Sequence, residues 1–242
     1  MAVNQAGLSS GFRGITHTAA MMHVAWFAGI SAVSFLIPQV FSSTLDLHHD
    51  LYYLIYFATV LGSLAMYVTT CHIDLMEQLR ARWRLSIGLG VLAGAFVVWS
   101  VLGRLDSTPH PTGAYFVFEL IWRGALYGMI DALLLSAFPG VVAFNLMQRN
   151  VAGLGRRTLY GGLTLVLVLF ITGVYHAGFE DLRNQEGVTN PEIGNTIISI
   201  PVILSANPIG SVVAHTSMHL AAVTHSYESE DRLPPQVFVD QD

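Results

Sequence analysis

Residues 114–147 read AYFVFELIWRGALYGMIDALLLSAFPGVVAFNLM, and this stretch determines the class of protein that the whole chain can be. It is apolar enough for a membrane interior, yet it contains Glu119, Arg123 and Asp131. An ionisable side chain inside a membrane span is costly unless a partner is supplied, and for that reason it usually marks a functional site. On a helix, Glu119 and Arg123 are one turn apart and can pair, and Asp131 projects from the same side. The stretch therefore predicts a polar site within a membrane-embedded helix.

The composition of the full chain supports a membrane location. Hydrophobic residues make up 53% of the 242 residues and charged residues only 11%, whereas a soluble domain has about 25% charged residues. The mean hydropathy is +0.55. The basic residues are all arginine, no basic run is present and the net charge is -5, which excludes nucleic acid as a partner and leaves the lipid bilayer. The single cysteine, Cys71, excludes an internal disulfide.

Membrane-spanning helices need about 20 apolar residues each. Six stretches qualify, namely residues 19–41, 51–71, 85–103, 114–147, 158–176 and 193–225. The fourth and sixth exceed thirty residues and contain proline, so each is either one kinked helix or two shorter helices. We therefore predict an all-α polytopic membrane helix bundle with six spans, or up to eight if the long stretches break.

The domain prediction is a single integral membrane domain. It consists of a polar N-terminal segment (1–18), the helix bundle (19–227) and an acidic C-terminal tail (228–242). Two GxxxG spacings, Gly90 to Gly94 and Gly124 to Gly128, suggest places where helix backbones approach closely.

The distribution of arginine predicts the orientation, because cytoplasmic loops collect positive charge. The loops after the second and fourth spans are arginine-rich, with Arg80, Arg82 and Arg84 in the first and Arg149, Arg156 and Arg157 in the second. Loops 42–50, 104–113 and 178–192 carry little positive charge and are expected on the outer side. With six crossings, both termini are predicted to be cytoplasmic, in a bacterial inner membrane.

Ten histidines form the second unusual feature of the sequence. His215 and His219 are i and i+4, so a helix would place both imidazoles on one face. The Asn207-Pro208 pair before them is a favourable helix start. Five others, His17, His48, His49, His110 and His225, fall in predicted termini or loops and are expected to be solvated or interfacial.

Depth along the helices predicts that several polar groups meet. If the last helix starts at Pro208 on the outer side, His215 is about 9 Å deep at 1.5 Å per residue. Glu119 is about as shallow in its own span, and His176 ends the fifth span on the outer side. Imidazoles, a carboxylate and an arginine at one level could activate water, bind a metal or ligate haem, or they could form a hydrogen-bonded plug between helices.

Three short strings resemble the motifs of the CPBP family, the CAAX-processing and bacteriocin-processing glutamate-type intramembrane proteases. The strings are FELIWRGALYG, YHAGF and NPIGSVVAHTSMH, and the family motifs are EExxxR, FxxxH and HxxxN or HxxxH. By position, the resemblance implies catalytic roles for Glu119, Arg123, His176, His215 and His219. It also implies a peptidase that needs no metal or other cofactor, with a peptide or membrane protein as substrate and with Glu119 and an imidazole polarising the attacking water.

The chain departs from the family pattern at two positions. Phe118 replaces the first glutamate of EExxxR, and Thr172 replaces the phenylalanine of FxxxH. The first glutamate is the residue expected to activate water, so proteolysis would require Glu119, Asp131 or Glu180 to act in its place.

Other functions fit the same residues. Transmembrane histidines can ligate haem or a chlorin, for which His23, His72, His176, His215 and His219 are candidates. HxxxH together with His176 could instead hold zinc in a lipid or amide hydrolase. A third class is a transporter or assembly subunit, in which the charged residues of the fourth span line a path or a protein contact.

Overall fold

The computed structural model describes residues 17–183, 185–228 and 233. Within these residues the chain forms eight helices and no strand, which confirms the predicted all-α membrane bundle. The helices are α1 (Thr18–Thr44), α2 (His49–Thr70), α3 (Leu75–Arg80), α4 (Trp83–Arg104), α5 (Gly113–Leu146), α6 (Leu154–His176), α7 (Gln185–Ser205) and α8 (Ile209–His225). Five of them, α1, α2, α4, α5 and α6, are long and apolar enough to cross a membrane.

Helix α5 is the central element of the bundle. It is continuous over 34 residues, and most of its apolar window is buried inside the protein. The long fourth stretch is therefore one helix. Two of its segments, Leu120–Leu126 and Leu133–Ala137, are π-helical. The second of them ends directly before Phe138 and Pro139, and such bulges commonly accommodate a residue that cannot donate a backbone hydrogen bond.

The long sixth stretch is broken into two antiparallel helices. Ala206 adopts a left-handed conformation with φ of 58° between α7 and α8. The Val202 backbone N–H then donates to Ser211 Oγ across the turn, at 3.3 Å. A hairpin thus replaces a single crossing, because the backbone reverses within Ala206 to Pro208.

Asn207 fixes the position of this hairpin turn. Its side-chain amide donates to the backbone carbonyls of Gln78, Leu79 and Ala81 at 3.0, 2.8 and 2.7 Å. The turn therefore lies at the arginine-rich end, by which we mean the end formed by the loops after α2 and after α5. The sequence predicts that α8 starts at the end opposite the arginine-rich loops, and this is wrong because Asn207 is hydrogen-bonded to the loop that carries Arg80 and Arg82.

Loops without an arginine cluster meet at the opposite end, called here the far end. Ser43 Oγ donates to the carbonyl of Gly178 at 3.2 Å, and the Thr108 N–H donates to the carbonyl of His225 at 2.9 Å. Helix α1 consequently begins at the arginine-rich end, whereas α8 finishes at the far end. The prediction that both termini lie on one side depends on a single crossing in the sixth stretch. Because this stretch forms a hairpin instead, the structure gives that prediction no support. Most residues of the predicted 1–18 and 228–242 segments lie outside the described part.

Helix α8 packs closely against α4 through glycine. A Cβ added at Gly90 would collide with the Gly210 backbone, and one added at Gly210 would collide with the Ser86 carbonyl. At Gly94 the nearest atom is Ala214 Cα, at an ordinary 3.4 Å. The close approach predicted from the first GxxxG therefore depends mainly on Gly90 and its partner glycine on α8.

Candidate metal centre in the helix core

One carboxylate of α5 faces two imidazoles of α8 in the middle of the bundle. Asp131 Oδ2 lies 3.1 Å from His215 Nε2 and 3.8 Å from His219 Nε2. The three side chains are buried, with exposures of 4%, 3% and 2%. Their ligand atoms lie within 4.8 Å of one another. This geometry brings together a set of groups that can coordinate a metal ion.

The local sequence explains why these side chains meet. His215 and His219 are one turn apart on α8, and their rings stack with centroids 5.0 Å apart. Gly128, one turn before Asp131 on α5, allows α8 to approach. A Cβ at this glycine would lie only 3.0 Å from His219 Cβ and from Thr216 Cα. The second GxxxG spacing thus positions the histidines as well as the helices.

Buried tyrosines surround the cluster. Tyr56 on α2 donates to Asp131 Oδ1 at 2.7 Å, which leaves Oδ2 directed toward the imidazoles. The ring of Tyr127 packs edge-on against His219, with centroids 4.8 Å apart. Its hydroxyl pairs with that of Tyr175 at 3.0 Å. The carboxylate is therefore held in one orientation, and the aromatic rings keep bulk water away from it.

A small cavity adjoins the cluster. Its volume is about 20 Å³, which accommodates one water molecule or one ion. Among the residues that line it are His176 from α6 and Asn195 from α7, in addition to Asp131, His215 and His219. A porphyrin does not fit in such a space, so this structure does not support haem ligation between these histidines.

The distances suit a small divalent ion. Two ligands bound at 2.0–2.1 Å to a tetrahedral zinc ion lie about 3.3 Å apart, and the two Asp131–histidine distances, 3.1 and 3.8 Å, bracket this value. Imidazole nitrogen and carboxylate oxygen are both common zinc ligands. Three protein ligands would leave a fourth position for water, on the side where His176 and Asn195 line the cavity.

The structure divides the five residues that the sequence predicted as one site. His176, His215 and His219 line one cavity, but Glu119 and Arg123 do not line it. Glu119 lies near the far end, 3.8 Å from Arg123 Nη1, and accepts a hydrogen bond from the Tyr227 hydroxyl at 2.9 Å. Catalytic roles for all five remain a prediction.

Arg123 is fully buried and has specific partners. Its Nε donates to the Tyr53 hydroxyl at 3.2 Å, and its Nη2 donates to the backbone carbonyl of Leu233 at 2.7 Å. It also lies over the ring of Tyr227, 4.7 Å from the centroid. Burial raises the pKa of Tyr227 above its ordinary value, so its hydroxyl keeps the proton that it donates to Glu119. The arginine thus joins Glu119 to the chain after α8.

His49, which the sequence predicts to be solvated or interfacial, is buried at the far end. Helix α2 begins at this residue, and only 9% of His49 is exposed. Its Nε2 lies 3.4 Å from Asp50 Oδ1 and 3.8 Å from Glu119 Oε2. His48 caps α2 and is more exposed. Glu119 therefore meets the start of α2 instead of the imidazoles of α8.

The two positions that depart from the family motifs differ in environment. Phe118 is 41% exposed on the outside of the bundle, where it stacks with Trp122. A carboxylate at position 118 would therefore face outward in this structure. Thr172 is fully buried, and its hydroxyl accepts a hydrogen bond from Asn195 Nδ2 at 2.7 Å. It is thus a packing position beside the cavity.

The remaining haem candidates are elsewhere. His23 is buried and pairs with the Tyr67 hydroxyl at 3.1 Å. His72 is exposed just after α2, with φ of 51°. Among the described residues, neither belongs to a group of side chains that could share an ion.

Comparisons with known proteins returned nothing, since no family model, curated protein or solved structure matches this chain.

Proposed function

We propose that this protein is an intramembrane hydrolase that holds one divalent transition-metal ion between Asp131, His215 and His219. The observation that carries the proposal is the 3.1 Å and 3.8 Å approach of two imidazole nitrogens to one buried carboxylate oxygen. Zinc fits this ligand set best, because one carboxylate and two imidazoles leave an open position, as catalytic zinc sites do.

Each residue of the centre has a distinct role in this proposal. A bound zinc ion would supply a water whose pKa is lowered to about 7. His176 lines the same cavity and is the group placed to exchange a proton with that water. Tyr56 fixes the orientation of Asp131 by donating to its other oxygen. The substrate class is a peptide amide or ester bond presented within the bilayer.

Substrate entry requires movement of a helix, since the cavity holds only a water-sized group. Helix α7 contributes Pro191, Gly194 and Asn195 to the cavity lining and contains a further proline, Pro201. Prolines inside a helix remove backbone hydrogen bonds and weaken it locally. We assign to α7 the movement that opens the site toward the membrane.

A second candidate is a metal-independent peptidase like those of the CPBP family. It is supported by the shared cavity of His176, His215 and His219, the residues that match the second and third motifs. Asp131 would then replace the carboxylate missing at position 118, and Glu119 with Arg123 would be structural. Haem binding and transport have no comparable support from the cavity.

Chelation separates the two candidates. The purified full-length protein, in detergent and then in lipid nanodiscs, is assayed with lipophilic fluorogenic peptides and esters. The metal proposal predicts that extensive chelation abolishes hydrolysis and that zinc or cobalt restores it. Hydrolysis that survives chelation but is lost in Asp131→Asn would favour the metal-independent peptidase. Full activity in both Asp131→Asn and His215→Ala would exclude both candidates.

We further propose that the arginine-rich end faces the cytoplasm of a bacterial inner membrane. The clusters of arginine in the loops after α2 and α5 support this orientation. The far end, where α8 finishes, would then be on the outer side.

A further inference from the structure

A second group of ligand-type side chains lies at the far end, where α2 begins against α5. His48, His49 and Asp50 are consecutive, and their ligand atoms lie within 4.8 Å of one another. Glu119 of α5 completes the group, with Oε2 at 3.8 Å from His49 Nε2. None of these residues lines the cavity beside Asp131. The group is therefore separate from the proposed hydrolytic centre.

Three of these residues carry buried polar atoms that make no hydrogen bond. They are His49 Nε2, Asp50 Oδ1 and Glu119 Oε1. The Glu119 side chain is completely buried, and that of His49 is 11% exposed. Buried polar atoms nearly always have a hydrogen-bond partner in proteins. Three such atoms without a partner, on neighbouring side chains, therefore indicate a ligand that they share.

Among the residues that the structure describes, two carboxyl groups meet one guanidinium at this place. Carboxyl oxygens of Asp50 and Glu119 lie 3.4 and 3.8 Å from the same nitrogen, His49 Nε2, and two ionised carboxylates that close repel unless a proton or a cation lies between them. Arg123 Nη1 lies 3.8 Å from Glu119 Oε2, and this guanidinium also donates to the Tyr53 hydroxyl and the Leu233 carbonyl. Within the described residues one arginine offsets one carboxylate, so the second carboxylate needs a proton or a bound cation.

From these observations we propose a second divalent-cation site, formed by His49 Nε2 and the carboxylates of Asp50 and Glu119, with His48 at its edge. The His49–Asp50 and His49–Glu119 distances are 3.4 and 3.8 Å, close to the spacing of about 3.3 Å between two ligands of a tetrahedral ion. One imidazole and two carboxylates suit zinc, manganese or ferrous iron. The ion would supply positive charge to the second carboxylate and would join α2 to α5.

Access distinguishes this site from the core centre. The side chains of His48 and Asp50 are 54% and 29% exposed, so water and chelators can reach the ion directly. At the core centre the ligands are almost completely buried. A chelator should accordingly remove the far-end ion faster than the core ion.

The test is the zinc stoichiometry of the chelated full-length protein, measured by equilibrium dialysis and elemental analysis. We expect about two ions per chain in the wild type and about one in either His49→Ala or Asp50→Asn. The matched control is Glu77→Gln, which removes an acidic side chain that pairs with Arg149 at 2.9 Å, at the other end of the bundle. It should retain both ions.

The outcomes separate this proposal from the proposed function. If His49→Ala and Asp50→Asn bind as many ions as the wild type, the far-end site does not exist, and a protonated His49 neutralises the carboxylates instead. If Asp131→Asn leaves the stoichiometry unchanged while His49→Ala lowers it, the core centre fails and the far-end site stands. Should the variants not fold, anomalous scattering at the zinc edge from wild-type crystals decides. A peak between His49 and Glu119 supports the site, and its absence from zinc-soaked crystals overturns it.

Discussion

The Tyr56 hydroxyl donates a hydrogen bond of 2.7 Å to Asp131 Oδ1 across the contact between α2 and α5. Both residues are buried, and the other oxygen of the same carboxylate faces His215. A single hydrogen bond thus determines which oxygen of Asp131 is available to an ion. Partners of this kind orient metal ligands and raise their affinity for the ion.

Replacing Tyr56 with phenylalanine tests this relationship. We expect Tyr56→Phe to weaken zinc binding at the core centre by about 10- to 100-fold, the usual effect of losing a hydrogen bond to a metal ligand. Competition with a chromophoric chelator measures the affinity. Tyr52→Phe is the control, because the Tyr52 hydroxyl is hydrogen-bonded to the Tyr175 hydroxyl, at 3.4 Å, and not to a proposed metal ligand among the described residues. Equal affinities for the two variants would contradict the role given to Tyr56.

Glycine at position 90 is predicted to be essential for packing. A methyl group there would collide with the Gly210 backbone, which cannot move aside as a flexible side chain can. We expect Gly90→Ala to destabilise the protein by about 1–3 kcal/mol. Gly88→Ala is the control, since nothing lies within 4 Å of its added Cβ. Thermal unfolding in detergent measures the stability of both variants. If Gly90→Ala is as stable as Gly88→Ala, the close contact between α4 and α8 is refuted.

Asn207 is predicted to be the main polar anchor of the α7–α8 hairpin. Its amide group donates to three backbone carbonyls, and the residue is fully buried. Replacement with alanine leaves these acceptors without their donor, so we expect a loss of about 2 kcal/mol or more in unfolding free energy. Asn207→Asp should be at least as harmful, because an ionised carboxylate has no proton to donate. Denaturant unfolding measures the free energy of unfolding of both variants. Values equal to that of the wild type would show that other contacts hold the hairpin.

The single cysteine provides a topology measurement. Cys71 follows α2 at the arginine-rich end, and burial raises the pKa of its thiol. A raised pKa lowers the thiolate fraction at neutral pH, so labelling by a membrane-impermeant maleimide should be slow at pH 7 and accelerate as the pH rises. Labelling should occur only from the cytoplasmic side.

A cysteine at the far end provides the comparison for that experiment. In a Cys71→Ser background, Thr108→Cys should react from the opposite side, because the Thr108 N–H is bonded to the end of α8. If both cysteines react from one side, the assignment of the two ends to opposite membrane faces is wrong.

The general architecture was predictable from the sequence because it depends on hydropathy and length alone. Runs of about 20 apolar residues require helices in a bilayer, and the predicted stretches correspond to the long helices of the structure. The sixth stretch was ambiguous, since hydropathy does not distinguish one kinked helix from a hairpin. The hydrogen bonds of Asn207 that select the hairpin join residues far apart in the sequence.

It was harder to predict which carboxylate lies beside the histidines of α8. The sequence marks Asp131 as a charged residue in an apolar stretch, but the predicted depths along the helices place His215 level with Glu119. The predicted depth of His215 is wrong because α8 starts at the arginine-rich end. In addition, the π-helical segment Leu120–Leu126 lies between Glu119 and Asp131 and changes which face each residue occupies. No local pattern in the sequence indicates such a segment.

Tyr56 and His49 illustrate a second limit of the sequence. Tyrosines are common at membrane interfaces, so nothing marks Tyr56 as the partner of Asp131. The sequence places His49 in a predicted loop, yet α2 begins at that residue and buries its ring beside Glu119. Both contacts join different helices, and they become visible only when the helices are assembled.

Coordination of a metal probe tests the central claim most directly. The full-length His49→Ala variant, which lacks the proposed far-end site, is stripped of metal, loaded with one equivalent of Co²⁺ and examined by visible absorption and X-ray absorption spectroscopy, alongside the same variant carrying Asp131→Asn or His215→Ala. We predict a four- or five-coordinate ion with two imidazole nitrogens and a carboxylate oxygen, with a signal lost in both variants and retained in Glu77→Gln. A six-coordinate spectrum of hydrated cobalt in the His49→Ala protein, or a bound-ion signal that persists when Asp131→Asn or His215→Ala is added to it, would contradict a metal centre at Asp131, His215 and His219.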